Sequence, residues 1–188
     1  AGCQVKADDG TVLFTPDGKG NYRALWTRDF AYMVENAGDL IPAGQVEAAI
    51  RFQLVANNDL LIYTAATGDP YTNSNNSTML SENQTNLNNV IGFANYDIGH
   101  VFGTAGGGVA QLGVVSQTNK ARGVSANFFG ASDPANTLTV AHEMGHQFNA
   151  AHSWNGTNSG CTAGQWGGSS QALEPGSGNT IMSYGGSC

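Results

Sequence analysis

The sequence predicts a domain of the α/β (α+β) class, with a mixed, twisted β-sheet packed against helices and a small irregular part at the C-terminus. Three observations predict it. The 188 residues, 40% of them apolar, suffice for one domain with a core. Helical and strand-like patterns are intermixed up to residue 148, and from Asn149 onward Gly, Ser, Asn and Thr dominate. We therefore expect a single domain over residues 1–188, divided into an upper α/β part (1–148) and a lower, coil-rich part (149–188).

The first third of the chain begins with turns and continues with two helical patterns. Residues 1–24 contain turn sequences such as PDGKGN. TRDFAYMVENAGDLI has apolar residues at helical spacing, and Gly38 is a suitable end for that helix. Pro42 opens a second helical pattern. The stretches RFQLVAN and DLLIYT, rich in apolar and β-favouring residues, are predicted as strands.

The middle of the chain alternates loops, helices and strands. GDPYTNSNNST is predicted as a polar loop; it is rich in oxygen donors and is a candidate calcium site, although it lacks the order of a known calcium loop. Ser81 and Gln84 form a capping box ahead of a helix with an apolar stripe. YDIGHVF is predicted as a strand, and GGGVAQLGVV leads into another. Asp133 as N-cap and Pro134 in the first turn open a last helix, which runs through ANTLTVAHEMGHQF.

The charge balance excludes some partners. Charged residues are only 11% and the net charge is −7, so we expect no binding to nucleic acid or to an anionic membrane surface. The polar residues of the chain are mostly uncharged, which is typical of a secreted, loop-rich protein. Cys161 and Cys188 lie in Gly/Ser-rich stretches and are predicted to form a disulfide in an oxidising compartment. Cys3 is left over, as a free thiol or as a thiolate that reaches a metal.

HEMGHQFNAAHS, residues 142–153, holds three of the four histidines of the chain. Residues four apart on a helix share one face, so His142 and His146 can bind one metal ion. Glu143 points roughly 100 degrees away, where it can reach a water on that ion. His152 completes the set only if the chain turns back after the helix, and Asn149 suits the left-handed conformation of such a turn.

The pattern is too specific to be a coincidence of composition. Lone histidines are usually structural, and His100 is interpreted in that way. The four-residue pattern with its third histidine is expected by chance on the order of 10⁻⁴ times. Three imidazoles suggest zinc with an open position for a water, whose pKa the zinc lowers toward ~7. Glu143 would then act as general base and acid in the hydrolysis of a peptide bond.

His142, Glu143, His146 and His152 resemble the extended motif of the metzincin zinc endopeptidases, and NTIMSYGG resembles the Met-turn of that clan. The resemblance is closest to bacterial secreted reprolysin-like proteases and covers residues 51–188. It implies a metzincin-like fold with an active-site helix, and an edge strand at GGGVAQLGVV that binds extended polypeptide. It also implies an apolar floor at Met182 and, as in some other metzincins, a tyrosine near the metal at Tyr184 that could steady the oxyanion.

Two positions depart from the family pattern. Asn149 stands where the clan usually has glycine, and we expect the turn to survive because asparagine tolerates this conformation. Ser153 follows the third histidine, where reprolysins of animal origin commonly carry aspartate. The second departure weakens the subfamily assignment without touching the predicted chemistry.

Two other classes of function stay open. The chain could be a non-catalytic binding module that zinc stabilises. Residues 24–52 resemble a helical segment of (α/α)-barrel glycoside hydrolases, which suggests a carbohydrate-active protein, but no convincing pair of carboxylates accompanies the resemblance. Arg28 and Asp29 in that segment are interpreted as a helix-surface pair. The leading prediction is a secreted, monomeric zinc endopeptidase.

Overall fold

The computed structural model describes residues 4–6, 12–14, 52–65, 67–126, 134–158, 161–165 and 170–185. The chain divides into two compact units, Ala1–Gln53 and Leu54–Cys188. In the first unit, strands β1 (Gln4–Lys6) and β2 (Val12–Phe14) form an antiparallel pair. The helices predicted between residues 28 and 50 lie outside the described residues. The prediction of a single domain with its boundary at residue 148 stays a prediction.

The second unit contains a three-stranded mixed sheet. Its strands are β3 (Val101–Phe102), β4 (Gly108–Ala110) and β5 (Gly123–Ser125), in the order β3-β5-β4. β5 pairs in parallel with β3 and antiparallel with β4. The strand predicted at YDIGHVF is therefore confirmed only at its last two residues, and β4 lies within the predicted glycine-rich stretch.

Helix α1 (Asn76–Val90) packs on one face of this sheet. Asn75 is its N-cap, and the Asn75 side chain accepts a hydrogen bond from the backbone N–H of Thr78 at 3.1 Å. The predicted capping box is therefore wrong: Ser81 lies inside the helix, and its hydroxyl donates to the Thr78 carbonyl. Because the cap lies six residues earlier, the end of the predicted polar loop is helical.

Helix α2 (Pro134–Gln147) packs against β4 and β5, as α1 does. Alternate residues of a strand point to opposite faces, and Val124 packs against the α1 residues Met79 and Leu80. Gly123 points the other way, toward the side chain of Gln147 in α2. The sheet thus lies between the two helices. Because the residue at position 123, which faces α2, is a glycine, α2 can approach the sheet closely.

The two strands predicted between residues 51 and 64 are wrong in the described part of the chain. Residues 52–55 have no regular structure, and Asn58–Leu61 form a 3-10 helix. These segments contribute little to the core: Val55 and Leu61 pack against it, but Leu54 is 78% exposed and Ile62 67% exposed. The second unit instead has small cores at the helix–sheet contacts, one around Leu87 and Ile91.

The residues after α2 are irregular, as the composition of the sequence predicts. The described parts of 150–185 contain only one short 3-10 helix, Ala163–Gln165, and one isolated parallel bridge between Trp154 and Glu174. Among the described residues, no helix has both the length and the apolar character needed to cross a membrane.

Candidate metal centre

The three histidines of the 142–153 segment meet at one point. The Nε2 atom of His152 lies 3.1 Å from Nε2 of His142 and 3.1 Å from Nε2 of His146. One ligand atom from each residue falls within 4.8 Å of the others. His142 and His146 project from the same side of α2, and His152 comes from the irregular segment that follows the helix.

Each of these imidazoles is held at its other nitrogen by a backbone carbonyl. The three Nδ1–carbonyl pairs are His142 with Ile181 at 2.6 Å, His146 with Ala150 at 2.7 Å, and His152 with Gln165 at 2.5 Å. A carbonyl can only accept, so each Nδ1 donates and each neutral ring turns a lone pair inward at Nε2. Burial, opposed by these hydrogen bonds, lowers the pKa of all three rings, that of His146 to about 4.

Three converging lone pairs repel one another unless a cation lies between them. Four ligands arranged tetrahedrally at the zinc–nitrogen distance of ~2.0–2.1 Å stand ~3.3 Å apart. The Nε2 separations of 3.1 Å are close to that value. The donor set, its geometry and its neutral protonation state therefore fit a zinc ion.

Asn149 makes the turn that brings the third histidine back. Its φ is 74°, in the left-handed region that the sequence predicts for it. Its N–H donates to the carbonyl of His146 at 2.8 Å, and the N–H of Ala150 donates to the carbonyl of Gly145 at 2.9 Å. These two bonds form a Schellman motif. The carbonyl of Ala150 is then the acceptor for the His146 ring, so the helix end also orients a ligand.

Glu143 is buried beside this cluster, with a relative exposure of 6%. Its Oε2 atom has no hydrogen-bond partner among the described residues. Burial raises the pKa of Glu143 to about 7. The carboxylate lies against β4, where a Cβ on Gly108 would stand 2.6 Å from Oε1. Only glycine leaves room for the carboxylate there.

β4 is the edge of the sheet next to Glu143. In the pairing with β5, the main-chain N–H and C=O groups of Gly107, Val109 and Gln111 point toward β5. The N–H of Ala126 donates to the carbonyl of Gly107, and the N–H of Gln111 donates to the carbonyl of Arg122. The main-chain groups of Gly108 and Ala110 consequently face the side of β4 on which no described strand lies.

Trp154 is an aromatic member of the site that the sequence analysis missed. It is fully buried, and its ring centroid lies 3.9 Å from that of Tyr184 and 4.2 Å from that of His152. Tyr184 lies 5.1 Å from the His152 ring, and its hydroxyl accepts a hydrogen bond from Gln165 at 3.4 Å. A tryptophan two residues after the last histidine, in a stretch otherwise polar, was the available signal.

Met182 is buried against α2. It is 8% exposed, and a Cβ on Gly145 would stand 2.5 Å from its sulfur. The carbonyl of Met182 accepts a hydrogen bond from the N–H of Ser153 at 3.1 Å. The methionine segment therefore contacts both the helix that carries two histidines and the segment that carries the third.

The remaining candidate residues lie elsewhere. His100 is outside the cluster, with its Nδ1 2.8 Å from Gln147 and its Nε2 2.8 Å from Ser125. Calcium binding is not supported: in the candidate loop, Asp69 accepts hydrogen bonds from Tyr71 and Asn73. Cys161 is buried, whereas Cys3 and Cys188 lie outside the described residues, so the predicted disulfide stays a prediction.

The mixed helix–sheet fold and the three-histidine cluster define a metallopeptidase of the metzincin type. The chain belongs to the reprolysin-like metallopeptidases: it matches the family described as "Metallo-peptidase family M12B Reprolysin-like" over residues 29–153, more than half of its length. Members of this family are zinc peptidases that act on polypeptides. The match begins within the segment that resembles glycoside hydrolases. No similar curated protein and no similar solved structure was found.

Proposed function

We propose that the chain is a secreted zinc-dependent endopeptidase in which His142, His146 and His152 hold the metal and Glu143 moves the protons. The observation that carries the proposal is the convergence of three Nε2 lone pairs, each set by a hydrogen bond at Nδ1. A histidine cluster with a merely structural role would satisfy its ring nitrogens on both sides, as His100 does.

Glu143 has the properties of a proton carrier. When bound, zinc supplies positive charge that polarises the scissile carbonyl and acidifies water. Glu143 takes a proton from the attacking water at its unpaired Oε2 and delivers it to the leaving amine. Burial raises the pKa of Glu143, which makes its carboxylate a stronger base toward the water than an exposed carboxylate.

The open edge of β4 gives the substrate a place to bind. An extended peptide that adds to this edge would pair with the main-chain groups of Gly108 and Ala110, next to Glu143. Main-chain pairing is independent of side chains, so this strand supports activity on many polypeptides. Specificity then depends on the irregular C-terminal segment.

The proposal includes roles for Tyr184 and Met182. The Tyr184 hydroxyl is a candidate donor to the oxyanion, because its ring lies beside those of His142 and His152. Met182 forms the apolar floor of a Met-turn beneath the ligands. Secretion is supported by the low content of charge and the abundance of uncharged polar residues, and a monomer is the simplest form that presents this site.

Glu143→Gln tests the mechanism. The amide keeps the size of the side chain but cannot accept the proton, so casein cleavage should fall by ~10³-fold or more with zinc still bound at one per chain. In the same assay, Tyr184→Phe should lower kcat by about 100-fold, as expected for the loss of one oxyanion donor. Glu82→Gln is the matched control and should keep full activity.

The outcomes separate the candidate functions. Near wild-type cleavage by Glu143→Gln contradicts the role of Glu143. Wild-type protein that binds zinc and never cleaves casein is a zinc-stabilised binding module. Release of reducing sugar that survives a chelator would indicate a carbohydrate-active protein.

A further inference from the structure

The carboxylate of Glu174 joins two irregular segments of the chain, one at Ser153 and the other at residues 179–180. Its Oε1 accepts hydrogen bonds from the hydroxyl of Ser153 at 2.5 Å and from the hydroxyl of Thr180. Its Oε2 accepts from the backbone N–H groups of Asn179 at 2.7 Å and Thr180 at 3.1 Å. Ser153 directly follows the third histidine, and Asn179 and Thr180 lie three and two residues before Met182.

The main chain makes the same connection. The N–H of Glu174 donates to the carbonyl of Ser153 at 2.7 Å, and the N–H of Asn155 donates to the carbonyl of Glu174 at 2.9 Å. On its other side, Ser153 donates to the carbonyl of Met182. The residue after His152 is thus held by both neighbouring segments.

These contacts matter because regular structure does not place the third ligand. α2 fixes His142 and His146, but it ends at Gln147, and His152 lies in an irregular segment. The carbonyl that orients the His142 ring belongs to Ile181, which directly follows Thr180. Two of the three imidazoles therefore depend on segments that converge on Glu174.

Glu174 is charged in this arrangement. Burial alone would raise its pKa, but the hydrogen bonds from Ser153, Thr180 and the two backbone N–H groups outweigh burial and lower the pKa. A neutral amide at this position could not accept four hydrogen bonds in the same way, since its nitrogen would face N–H donors.

We propose that Glu174 is a positioning residue of the metal centre: it fixes His152 and the segment before Met182 relative to α2, and the chain retains zinc through it. The inference rests on the proposed function. Glu174 does not touch the metal ligands, so its effect passes through Ser153 on one side and through Thr180 and Ile181 on the other.

The test measures zinc release into an excess of a chromogenic chelator, with Glu174→Gln compared against Glu82→Gln. Glu82 is the matched control, because its carboxylate also accepts a backbone N–H and a hydroxyl, both from Thr72, at 2.8 Å and 2.7 Å. Both variants should lose some stability. Only Glu174→Gln should release zinc faster, by tenfold or more, at a temperature well below the unfolding of either variant.

Ser153→Ala gives a second measurement. This variant removes the hydroxyl of Ser153 from Glu174 and keeps the hydrogen bonds from Asn179 and Thr180. It should release zinc about threefold faster, and adding it to Glu174→Gln should raise the rate by clearly less than threefold, because both changes remove the bond between Ser153 and Glu174 while the Ser153–Thr180 contact depends on Ser153 alone. Equal release rates for Glu174→Gln and Glu82→Gln, or effects of Ser153→Ala and Glu174→Gln that simply multiply, would overturn the inference and leave the proposed function intact. Wild-type protein without zinc would overturn both.

Discussion

Glu143 and Gly108 depend on each other at the scale of single residues. The Oε2 atom of buried Glu143 has no hydrogen-bond partner among the described residues; such an arrangement is costly, and a protein keeps one where function needs it. Here the absence of a side chain at position 108 provides the space for the carboxylate beside the edge strand. The glycine thus allows Glu143, the proposed proton carrier, to lie beside the edge strand β4.

Gly108→Ala should therefore damage catalysis more than folding. The added methyl group would stand 2.5 Å from Cγ of Glu143, so the carboxylate must move. We expect kcat/KM for a peptide substrate to fall by about tenfold to 100-fold, since small displacements of catalytic groups have effects of this size, while zinc stays bound.

Ala110→Gly is the control, since it changes the same strand by one methyl group away from the Glu143 contact. Steady-state kinetics with both variants checks the prediction. Equal losses in the two variants would mean that the edge strand tolerates no change at all, and the specific contact with Glu143 would have no support.

At the scale of elements, the end of α2 decides where the third histidine lies. Asn149 adopts a conformation that costs most residues about 1–2 kcal/mol and that glycine adopts freely. Asn149→Gly should leave the free energy of unfolding within about 0.5 kcal/mol of wild type, and Asn149→Ala should reduce it by about 1 kcal/mol. Urea unfolding checks the order of the three proteins. An alanine variant as stable as the glycine variant would contradict the account of this turn.

The imidazole of His100 connects Gln147, the last residue of α2, to Ser125 in β5, and it must stay neutral to do so. Burial lowers its pKa, against a smaller raising effect of the hydrogen bond that Nδ1 donates to Oε1 of Gln147. Above the ordinary histidine pKa of 6.5, both folded and unfolded states are neutral. As the pH falls below that value, only the unfolded state takes up the proton, so stability is lost.

The pH dependence of unfolding tests this role. Between pH 7 and pH 5, with zinc saturating, His100→Gln should lose stability less steeply than wild type, by up to ~1.4 kcal/mol per pH unit. The ligand histidines are common to both proteins, so the difference isolates His100. Parallel pH profiles would show that His100 does not stay neutral in the folded state.

At the scale of the whole molecule, the sequence predicts the site better than the scaffold. The histidine pattern has its own spacing rule, and α2 and its left-handed turn follow from it. The sheet has strands of two or three residues, too short for an alternating pattern, and the central strand β5 contributes only Val124 to an apolar core. α1 was predicted to start late because Ser81 and Gln84 match a capping box, whereas the true N-cap is Asn75.

The irregular C-terminal segment shows a different limit of prediction from sequence. Its polar composition predicts loops correctly, but the network around Glu174 joins residues more than 20 positions apart through single hydrogen bonds. No periodicity marks such contacts in a sequence. Trp154 was missed for the same reason, because its partners are the distant Tyr184 and an adjacent ligand.

Zinc content and casein cleavage, measured on one sample before and after 1,10-phenanthroline and again after zinc is restored, test the central claim most directly. We expect one zinc per chain, with cleavage lost on removal and regained on addition, and a midpoint of unfolding that falls when zinc is removed. Cleavage that continues without zinc, or a chain that binds no zinc at the three histidines, would contradict it.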